Sequence, residues 1–433
     1  MSAKNNTKTK STNKKFGNSK AYPDVSSYLA LLPGLLMCMM LVIVLILDIA
    51  MPEMAEKQYV VFPNIFTILD YVIIAGGLLH LGIAAKRKTL NFEKTDILFA
   101  AFAFLILLST FVNGFNFMTI DGVPYRYIGI LNMLAFMLIY MSVTRAIKSE
   151  AFAGYILAGY LITADLIGIA ALFDLLTGSI AAFHGKKEIS TIFFNGNHYG
   201  YFLLMAVLTG AAYYLFSEKK LSVFGAVSAV LNLIVLAINH SLGSILALII
   251  VLAATGILIA VKDRSYGRKM ILLAAVLFVS FVIALIVSPA LRKEFTVLAS
   301  DFGAILSGTA EGSVGHRRLQ MWTLTAGYIS QKPLLGYGCE GIAFMLYEAM
   351  KVSDPHCESL AYAAYYGIPA ALLYIAGVIG VIINNLRRTG SGSVHQKAAC
   401  MAAAGYFISS FVGVGMFYTL PFFFIFLGLA ARH

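Results

Sequence analysis

Charged residues are scarce in this sequence of 433 residues, of which only 12% are Asp, Glu, Lys or Arg while 60% are hydrophobic. Soluble globular domains are about a quarter charged and half apolar, so this composition excludes an ordinary soluble domain. Apolar runs of about 17 to 25 residues recur, which is the length that crosses a hydrocarbon core of about 30 Å. The sequence therefore predicts an all-α, polytopic membrane protein.

Cysteine is also scarce, with Cys38, Cys339, Cys357 and Cys400 as its four occurrences. Such a number provides no disulfide framework and no metal-ligand spacing, and the sequence leaves open whether Cys339 and Cys357 pair. No Walker, HExxH or GxSxG motif occurs, so nucleotide-driven chemistry has no support. We predict neither a metal nor a cofactor.

Hydropathy predicts about twelve membrane-spanning helices. Their approximate ranges are 28–50, 65–85, 97–113, 127–144, 153–175, 199–216, 223–239, 245–261, 270–288, 359–383, 398–414 and 417–431. An even number of spans places both chain ends on the same side of the membrane.

The formal net charge of +11 would indicate nucleic-acid binding in a soluble protein. Here the basic residues lie mainly between the predicted helices. With both ends in the cytoplasm, 22 of the 32 basic residues fall on the cytoplasmic side, in agreement with the positive-inside rule. We therefore predict a multi-pass protein of the cytoplasmic membrane, with cytoplasmic termini and a lipid bilayer, not nucleic acid, as its partner.

Four regions follow from this topology. Residues 1–26 form a basic, disordered cytoplasmic tail; residues 27–288 hold helices one to nine; residues 289–358 form a large extracytoplasmic loop; and residues 359–433 hold helices ten to twelve. Connections longer than about 15 residues usually carry function or disorder. Short helices are expected in this loop at Arg317–Tyr328 and Ile342–Met350.

The extracytoplasmic loop concentrates ionisable groups. They are His316, Arg317, Arg318, Lys332, Asp354, His356 and Glu358. Planar arginine guanidinium groups suit phosphate oxygens, and histidine titrates close to neutral pH and suits proton transfer. Such a set fits a phosphate-bearing donor and an acceptor hydroxyl, whereas the alternative is a solvated loop with ordinary surface charges.

The order of these residues resembles that of the O-antigen ligase-like proteins, a family that also includes O-antigen polymerases. The matching stretches are Arg318-Leu-Gln-Met-Trp322, Pro333-Leu-Leu-Gly-Tyr-Gly338, His356-Cys-Glu-Ser-Leu360 and Gly367-Ile-Pro369. A weaker match is Phe194-Asn-Gly-Asn-His198, which is similar to an asparagine-containing turn of that family.

The resemblance implies a metal-independent glycosyl transfer outside the cytoplasmic membrane, with an undecaprenyl-pyrophosphate-linked glycan as donor and a glycan or lipid-linked molecule as acceptor. His356 would be the base that activates the acceptor hydroxyl, and Arg318 would hold the pyrophosphate. Substrate-binding roles are predicted for His316, Arg317, Lys332 and Arg126.

Two positions depart from the family's pattern. The family often has Ser-Arg-Gly before the large loop, where this sequence has Ser241-Leu242-Gly243, so one phosphate-binding arginine is missing. The candidates to replace it are Arg126, Lys186, Lys187, Arg317 and Lys332. Cys357 stands where an asparagine commonly follows the family's histidine.

Four functions therefore remain open, and one of them is a scaffold-like member of the family that binds glycan lipid without turning it over. A ligase attaches a finished glycan to an acceptor, a polymerase joins donor units to one another, and a multi-pass transporter or flippase moves a lipid-linked sugar across the membrane. Transporters tend to have two similar halves with interrupted helices and a polar site at the midplane, which this sequence does not clearly show.

Overall fold

The computed structural model describes residues 25–51, 58–88, 90–124, 126–180, 183, 190–193, 195–309, 314–388 and 392–432. All but the last two residues of the predicted tail, 1–26, lie outside these ranges. The candidate residues Lys186 and Lys187 lie outside them as well.

Seventeen α-helices and no strands occur in the described ranges. They are α1 (Val25–Ala50), α2 (Gln58–Lys86), α3 (Lys94–Asn113), α4 (Phe117–Asp121), α5 (Ile130–Ala146), α6 (Glu150–Thr177), α7 (Gly196–Phe216), α8 (Lys219–Asn239), α9 (Leu242–Lys262), α10 (Gly267–Val287), α11 (Pro289–Leu306), α12 (Arg318–Gln331), α13 (Ala343–Met350), α14 (Glu358–Tyr366), α15 (Ile368–Arg387), α16 (Val394–Ser409) and α17 (Leu420–Ala431).

The predicted all-α, polytopic membrane fold is confirmed. Each of the twelve predicted membrane helices has a counterpart, and in the described part of the chain nine helices are long and apolar enough to cross a membrane. The other three counterparts, α5, α16 and α17, have 17, 16 and 12 residues. At 1.5 Å per residue these three are shorter than a bilayer core of about 30 Å.

Helices α7 and α17 form the centre of the bundle, where almost every residue of both helices is buried. A helix that is apolar on all sides is stable in such a position because neighbours cover its whole circumference. α7 and α8 approach closely at Gly210 and Gly225, where a Cβ on either residue would lie within 2.6 Å of the other's carbonyl oxygen. Small residues of this kind permit tight packing of membrane helices.

A buried polar cluster joins α6 to α8. The carboxylate of Asp165 accepts hydrogen bonds from Ser228 Oγ at 2.6 Å and from Asn232 Nδ2 at 2.7 Å. Such bonds between helices satisfy polar groups that lipid would leave unpaired. These contacts between helices account for the presence of Asp165 within the membrane helices.

Between α10 and α14, both predicted short helices are confirmed, as α12 and α13. The sequence analysis missed a third helix, α11, which follows α10 directly. The predicted helix 359–383 is in fact two helices, α14 and α15, because the chain turns at Gly367 with φ +92°. A side chain there would also clash, since a Cβ would lie 2.0 Å from Leu334 O.

Candidate functional site

A cavity at one end of the bundle, lined by both polar and apolar side chains, has a volume of about 630 Å³. It lies between the first turns of α7 and α9, the turn that joins α8 to α9, helices α11 and α12, and the loop that carries His356. A cavity of several hundred Å³ with a few convergent polar groups is the usual form of a small-molecule site. Arg318, His356 and His316, which the sequence analysis selected, all line it.

The turn before α12 directs three consecutive basic residues to different surroundings. His316 and Arg317 have left-handed backbone conformations, with φ values of +55° and +68°. Arg318 then begins α12, so that His316 and Arg318 line the cavity while the exposed Arg317 does not. Left-handed conformations are unfavourable for residues other than glycine and cluster at functional sites.

Arg318 has unused hydrogen-bonding capacity. Its Nη1 donates to Gly315 O at 3.3 Å, and its buried Nε has no hydrogen-bond partner among the described residues. It is also the one Lys or Arg in the described lining of the cavity. A guanidinium group keeps its charge at any physiological pH, so Arg318 offers a cation with free donors to an anion in the cavity.

The loop before α14 holds His356 in a defined position. Its backbone N donates to Asp354 Oδ1 at 2.7 Å, and Trp322 Nε1 donates to the neighbouring Pro355 O at 2.9 Å. His356 itself has a left-handed φ of +52°. The predicted motif residue Trp322 therefore fixes the histidine loop to α12.

The surroundings of His356 favour its neutral form. Burial lowers the pKa of the imidazole below its ordinary value of 6.5; Asp354 opposes this, and the charges of Arg318 and Arg126 lower the pKa further. A neutral imidazole at neutral pH can accept a proton, as a general base must.

Arg126 does not line the cavity. It is 5% exposed and forms ion pairs with Glu340 and Asp354, and its Nη2 also donates to Ser353 O at 3.0 Å. Both Nη groups of its guanidinium are therefore occupied by the protein, while its buried Nε has no partner among the described residues. Because Asp354 also accepts a hydrogen bond from the His356 backbone N–H, Arg126 stabilises the histidine loop through Asp354.

Lys332 also lies outside the cavity lining. Its Nζ is 3.0 Å from Asn113 Oδ1 and 4.6 Å from the centre of the Tyr337 ring, and its side chain is exposed. Of the four predicted substrate-binding residues, the structure thus brings only His316 to the cavity with Arg318 and His356.

The asparagine motif, 194–198, and the stretch Ser241-Leu242-Gly243 both contribute residues to the same cavity. Asn195 caps α7 by accepting a hydrogen bond from Asn197 N at 2.8 Å, and Asn197 lines the cavity. Ser241 Oγ lies 3.4 Å from Asn197 Oδ1, and Leu242 lines the cavity at the position where the family often has arginine. Phe194, the first residue of that asparagine motif, lies outside the described residues.

The Pro333–Gly338 motif has a structural role in this chain. Its backbone docks on the last turn of α14, where Gly338 N donates to Tyr365 O at 2.8 Å and Tyr337 N donates to Ala364 O at 3.0 Å. Together with Gly341, its glycines have the GxGxxG spacing of a dinucleotide-binding loop. That loop requires a preceding strand, and no strand occurs in the described ranges, so this run does not form such a site.

Helix α11 adds two kinds of lining residue that the sequence analysis did not select. The acids Glu294 and Asp301 hold the turn before α12, since Glu294 Oε2 lies 3.2 Å from His316 Nε2 and Asp301 Oδ2 accepts from Gly315 N at 2.8 Å. The same helix presents an apolar wall. This wall consists of Val297, Leu298, Phe302 and Ile305.

Metal-binding geometry is not apparent at the site. No group of three or more His, Cys, Asp or Glu side chains in the described ranges is arranged to hold an ion. Cys339 and Cys357 are both free thiols.

Comparison with known protein families adds a finding that is independent of the geometry. The model of the O-antigen ligase family matches residues 227–375, which are 149 of the 433 residues. All described residues that line the cavity fall in this range except Asn197 and Val412. None of the curated proteins matches the chain.

Proposed function

We propose that this chain, an O-antigen ligase-like membrane protein of polysaccharide biosynthesis, transfers a glycan from an undecaprenyl-pyrophosphate donor to an acceptor on the outer face of the cytoplasmic membrane. One observation carries the proposal. Arg318 and His356 belong to separate motifs, and both line a single cavity within the family-matched range. The side chains needed for leaving-group stabilisation and for proton removal therefore share one space.

In the proposed reaction His356 acts as the general base. As the acceptor oxygen bonds to the anomeric carbon of the donor sugar, its hydroxyl proton passes to the neutral imidazole. The bond between that carbon and the pyrophosphate oxygen breaks on the opposite face, and the electron pair leaves with the lipid pyrophosphate. The configuration at the anomeric carbon is inverted.

Arg318 stabilises the departing pyrophosphate. Negative charge grows on the leaving group as the bond breaks, so a fixed guanidinium lowers the energy of the transition state more than that of the ground state. Its position in the cavity lining and its absence from any ion pair in the described ranges support this role. The proposal assigns no metal to the reaction, and transfer is therefore expected to survive EDTA.

The cavity also has a place for the lipid part of the donor. The apolar wall of α11 faces the polar side formed by Asn197, His240 and Arg318. Phe302 and Ile305 are 60% and 54% exposed, so this wall continues to the surface of the bundle. An amphiphilic donor matches such a division into an apolar and a polar side.

The position of the cavity sets a requirement on topology. With both chain ends in the cytoplasm, residues 289–358 lie outside, which is the side where the proposed donor is used. A reporter enzyme fused after Lys351 tests this orientation directly. Activity characteristic of the cytoplasm at that fusion would contradict the proposal.

The decisive experiment uses the purified full-length chain with a lipid-pyrophosphate-linked glycan and an acceptor. Transfer is expected to produce glycosylated acceptor and free undecaprenyl pyrophosphate in equal amounts. Movement of the donor across liposomes without any release of pyrophosphate would favour a flippase instead.

A polymerase would use the same residues, because it differs only in its acceptor. Deletion of the gene distinguishes the two: loss of a ligase leaves long glycans unattached, whereas loss of a polymerase leaves single repeats attached.

A further inference from the structure

A second cavity, of about 220 Å³, lies at the far end of the bundle. Helix α9 connects the two, since its first residue, Leu242, lines the large cavity and its last, Lys262, lines the small one. The 21 residues of α9 rise about 30 Å at 1.5 Å each, which is the thickness of the hydrocarbon core. The small cavity therefore lies at the opposite membrane surface, away from Arg318 and His356.

The polar end of this cavity contains two lysines. Lys262 Nζ donates to Leu386 O at 3.2 Å, at the end of α15. Lys397 Nζ lies 5.0 Å from the ring centre of Phe216 and 6.0 Å from that of Tyr266. The two aromatic faces hold the ammonium group in place at the cavity.

Lys397 has no hydrogen-bond acceptor among the described residues. An ammonium group has three donors, and in the described ranges this one makes neither a hydrogen bond nor an ion pair. The acid that lines the cavity is Asp263, and its Oδ1 accepts from Ser265 N at 3.1 Å and from Ser265 Oγ at 2.6 Å. The cavity thus has a half-buried cation that feels the charge of Asp263 but for which the described residues supply no hydrogen-bond acceptor.

The remaining walls are apolar and come from membrane helices. Leu258 and Ile259 of α9 face Met401 of α16 across the cavity. Beside them on α9, Ile257 and Val261 are 65% and 77% exposed, as expected for side chains that face lipid. A ligand with a charged head and an apolar body matches this arrangement better than a small soluble anion.

Further basic residues surround this end of the bundle. They include Lys219, Arg264, Arg268, Lys269, Arg387 and Arg388. Basic residues next to membrane helices attract anionic lipid headgroups, and basic pockets between helices bind them specifically.

We propose that this cavity binds the phosphodiester headgroup of an anionic phospholipid, with Lys262 and Lys397 at the phosphate and the acyl chains along α9 and α16. Its ligand is a membrane lipid at the surface opposite the catalytic cavity. The proposal does not depend on glycan transfer.

The test measures lipid binding to the full-length protein in neutral detergent by native mass spectrometry. Phosphatidylglycerol is compared with phosphatidylcholine of the same acyl chains, and wild type is expected to retain only phosphatidylglycerol. The double variant Lys262→Gln, Lys397→Gln should lose about fivefold in affinity for each lysine removed. The matched control Arg264→Gln, on the same surface but outside the cavity lining, should lose clearly less affinity than the removal of either lysine.

Three results would overturn the proposal. They are equal retention of the two lipids by wild type, unchanged phosphatidylglycerol binding by the double variant, and displacement of the lipid by equimolar inorganic phosphate. The comparison of the two lipids on the wild-type protein needs no variant, so it tests the preference for an anionic headgroup even if the double variant does not fold. The charge-conserving variant Lys262→Arg, Lys397→Arg should retain the lipid.

Discussion

Arg318 and Arg126 both lower the pKa of His356, and each has a buried Nε without a partner in the described ranges, yet their Nη groups have different surroundings. Arg318 lines an open cavity and makes no ion pair in the described ranges. Arg126 is enclosed, and two carboxylates, Glu340 and Asp354, neutralise it. Two arginine side chains thus have different functions, because their interaction partners differ.

The difference shows how one site can hold its catalytic loop rigidly and still keep hydrogen-bond donors free for a substrate. A substrate anion requires donors that the protein has not already used, and Arg318 retains them. A catalytic loop requires a fixed position, and the network of Arg126 supplies it by holding the Asp354 carboxylate that binds the His356 backbone. Substitutions at the cavity should therefore change the rate of transfer, whereas substitutions in the cluster of Arg126, Glu340 and Asp354 should change the free energy of unfolding.

The largest effect is expected for His356→Gln. The amide cannot accept the acceptor proton, so kcat should fall by about 10²- to 10⁴-fold. The side chain makes no hydrogen bond within the described residues, so the melting temperature in detergent should stay close to that of wild type. His316→Gln is the comparison at the same cavity: because His316 is predicted to bind substrate and not to move the proton, its loss should raise KM and leave kcat close to wild type. A folded His356→Gln protein with wild-type transfer would refute the assigned base.

Arg126→Gln should act on stability instead. It leaves Glu340 and Asp354 buried without their cation, which costs about 3 to 5 kcal/mol in the free energy of unfolding. Adding Glu340→Gln should recover part of the loss, because one of the unpaired carboxylates then disappears. Denaturant titration in detergent measures both. If Arg126→Gln unfolds like wild type and loses only donor binding, Arg126 contacts the substrate after all.

Arg318→Gln should show the reverse pattern. Transition-state stabilisation by one such group is worth about 10²- to 10³-fold in rate, whereas the stability should change by less than about 0.5 kcal/mol. Arg318→Lys should recover part of the rate because it restores the charge but not the two-pronged geometry. Steady-state kinetics with the lipid-linked donor provide the measurement, and a loss of stability equal to that of Arg126→Gln would remove the contrast between the two arginines.

A smaller effect is expected in the pH profile. The base works only when neutral, and burial together with the two arginines lowers the pKa of His356, so kcat/KM should fall only on the acid side, below pH 6.5. Arg318→Gln removes one of the lowering charges and should move this acid limb to higher pH. Arg318→Lys keeps the charge and should leave the limb in place. An acid limb that is identical in all three proteins would show that Arg318 does not act on His356.

The membrane helices were predictable because hydropathy over some 20 residues reports directly on burial in lipid. Helix α11 was missed because Arg292, Lys293 and Glu294 interrupt its apolar pattern within the first two turns. Its signals are Ser288 as the cap, whose Oγ accepts from Leu291 N at 3.2 Å, and Pro289 in the first turn.

The site was predictable only in part. Arg318 and His356 follow from the order of local motifs, and the cavity joins them. The ion pairs of Arg126 span 214 and 228 residues of sequence, and no local pattern reports such a distance. The sequence analysis therefore recognised a basic residue on the outer side but had no means of seeing that two acids already occupied it.

The smallest effect is expected outside the cavity, at Arg317 and Lys332, which the sequence alone made candidates for substrate binding. Arg317 adjoins Arg318 but points to solvent, and Lys332 is engaged with Asn113 and the Tyr337 ring. Substituting either by Gln should change stability by less than about 0.5 kcal/mol and leave the rate within about twofold of wild type. The comparison of Arg317→Gln with Arg318→Gln is sharp, because two adjacent residues of the same type differ in whether they line the cavity. A loss at Arg317 as large as that at Arg318 would mean that the anion binds at the outer surface of α12, and the cavity would then lose its assigned role.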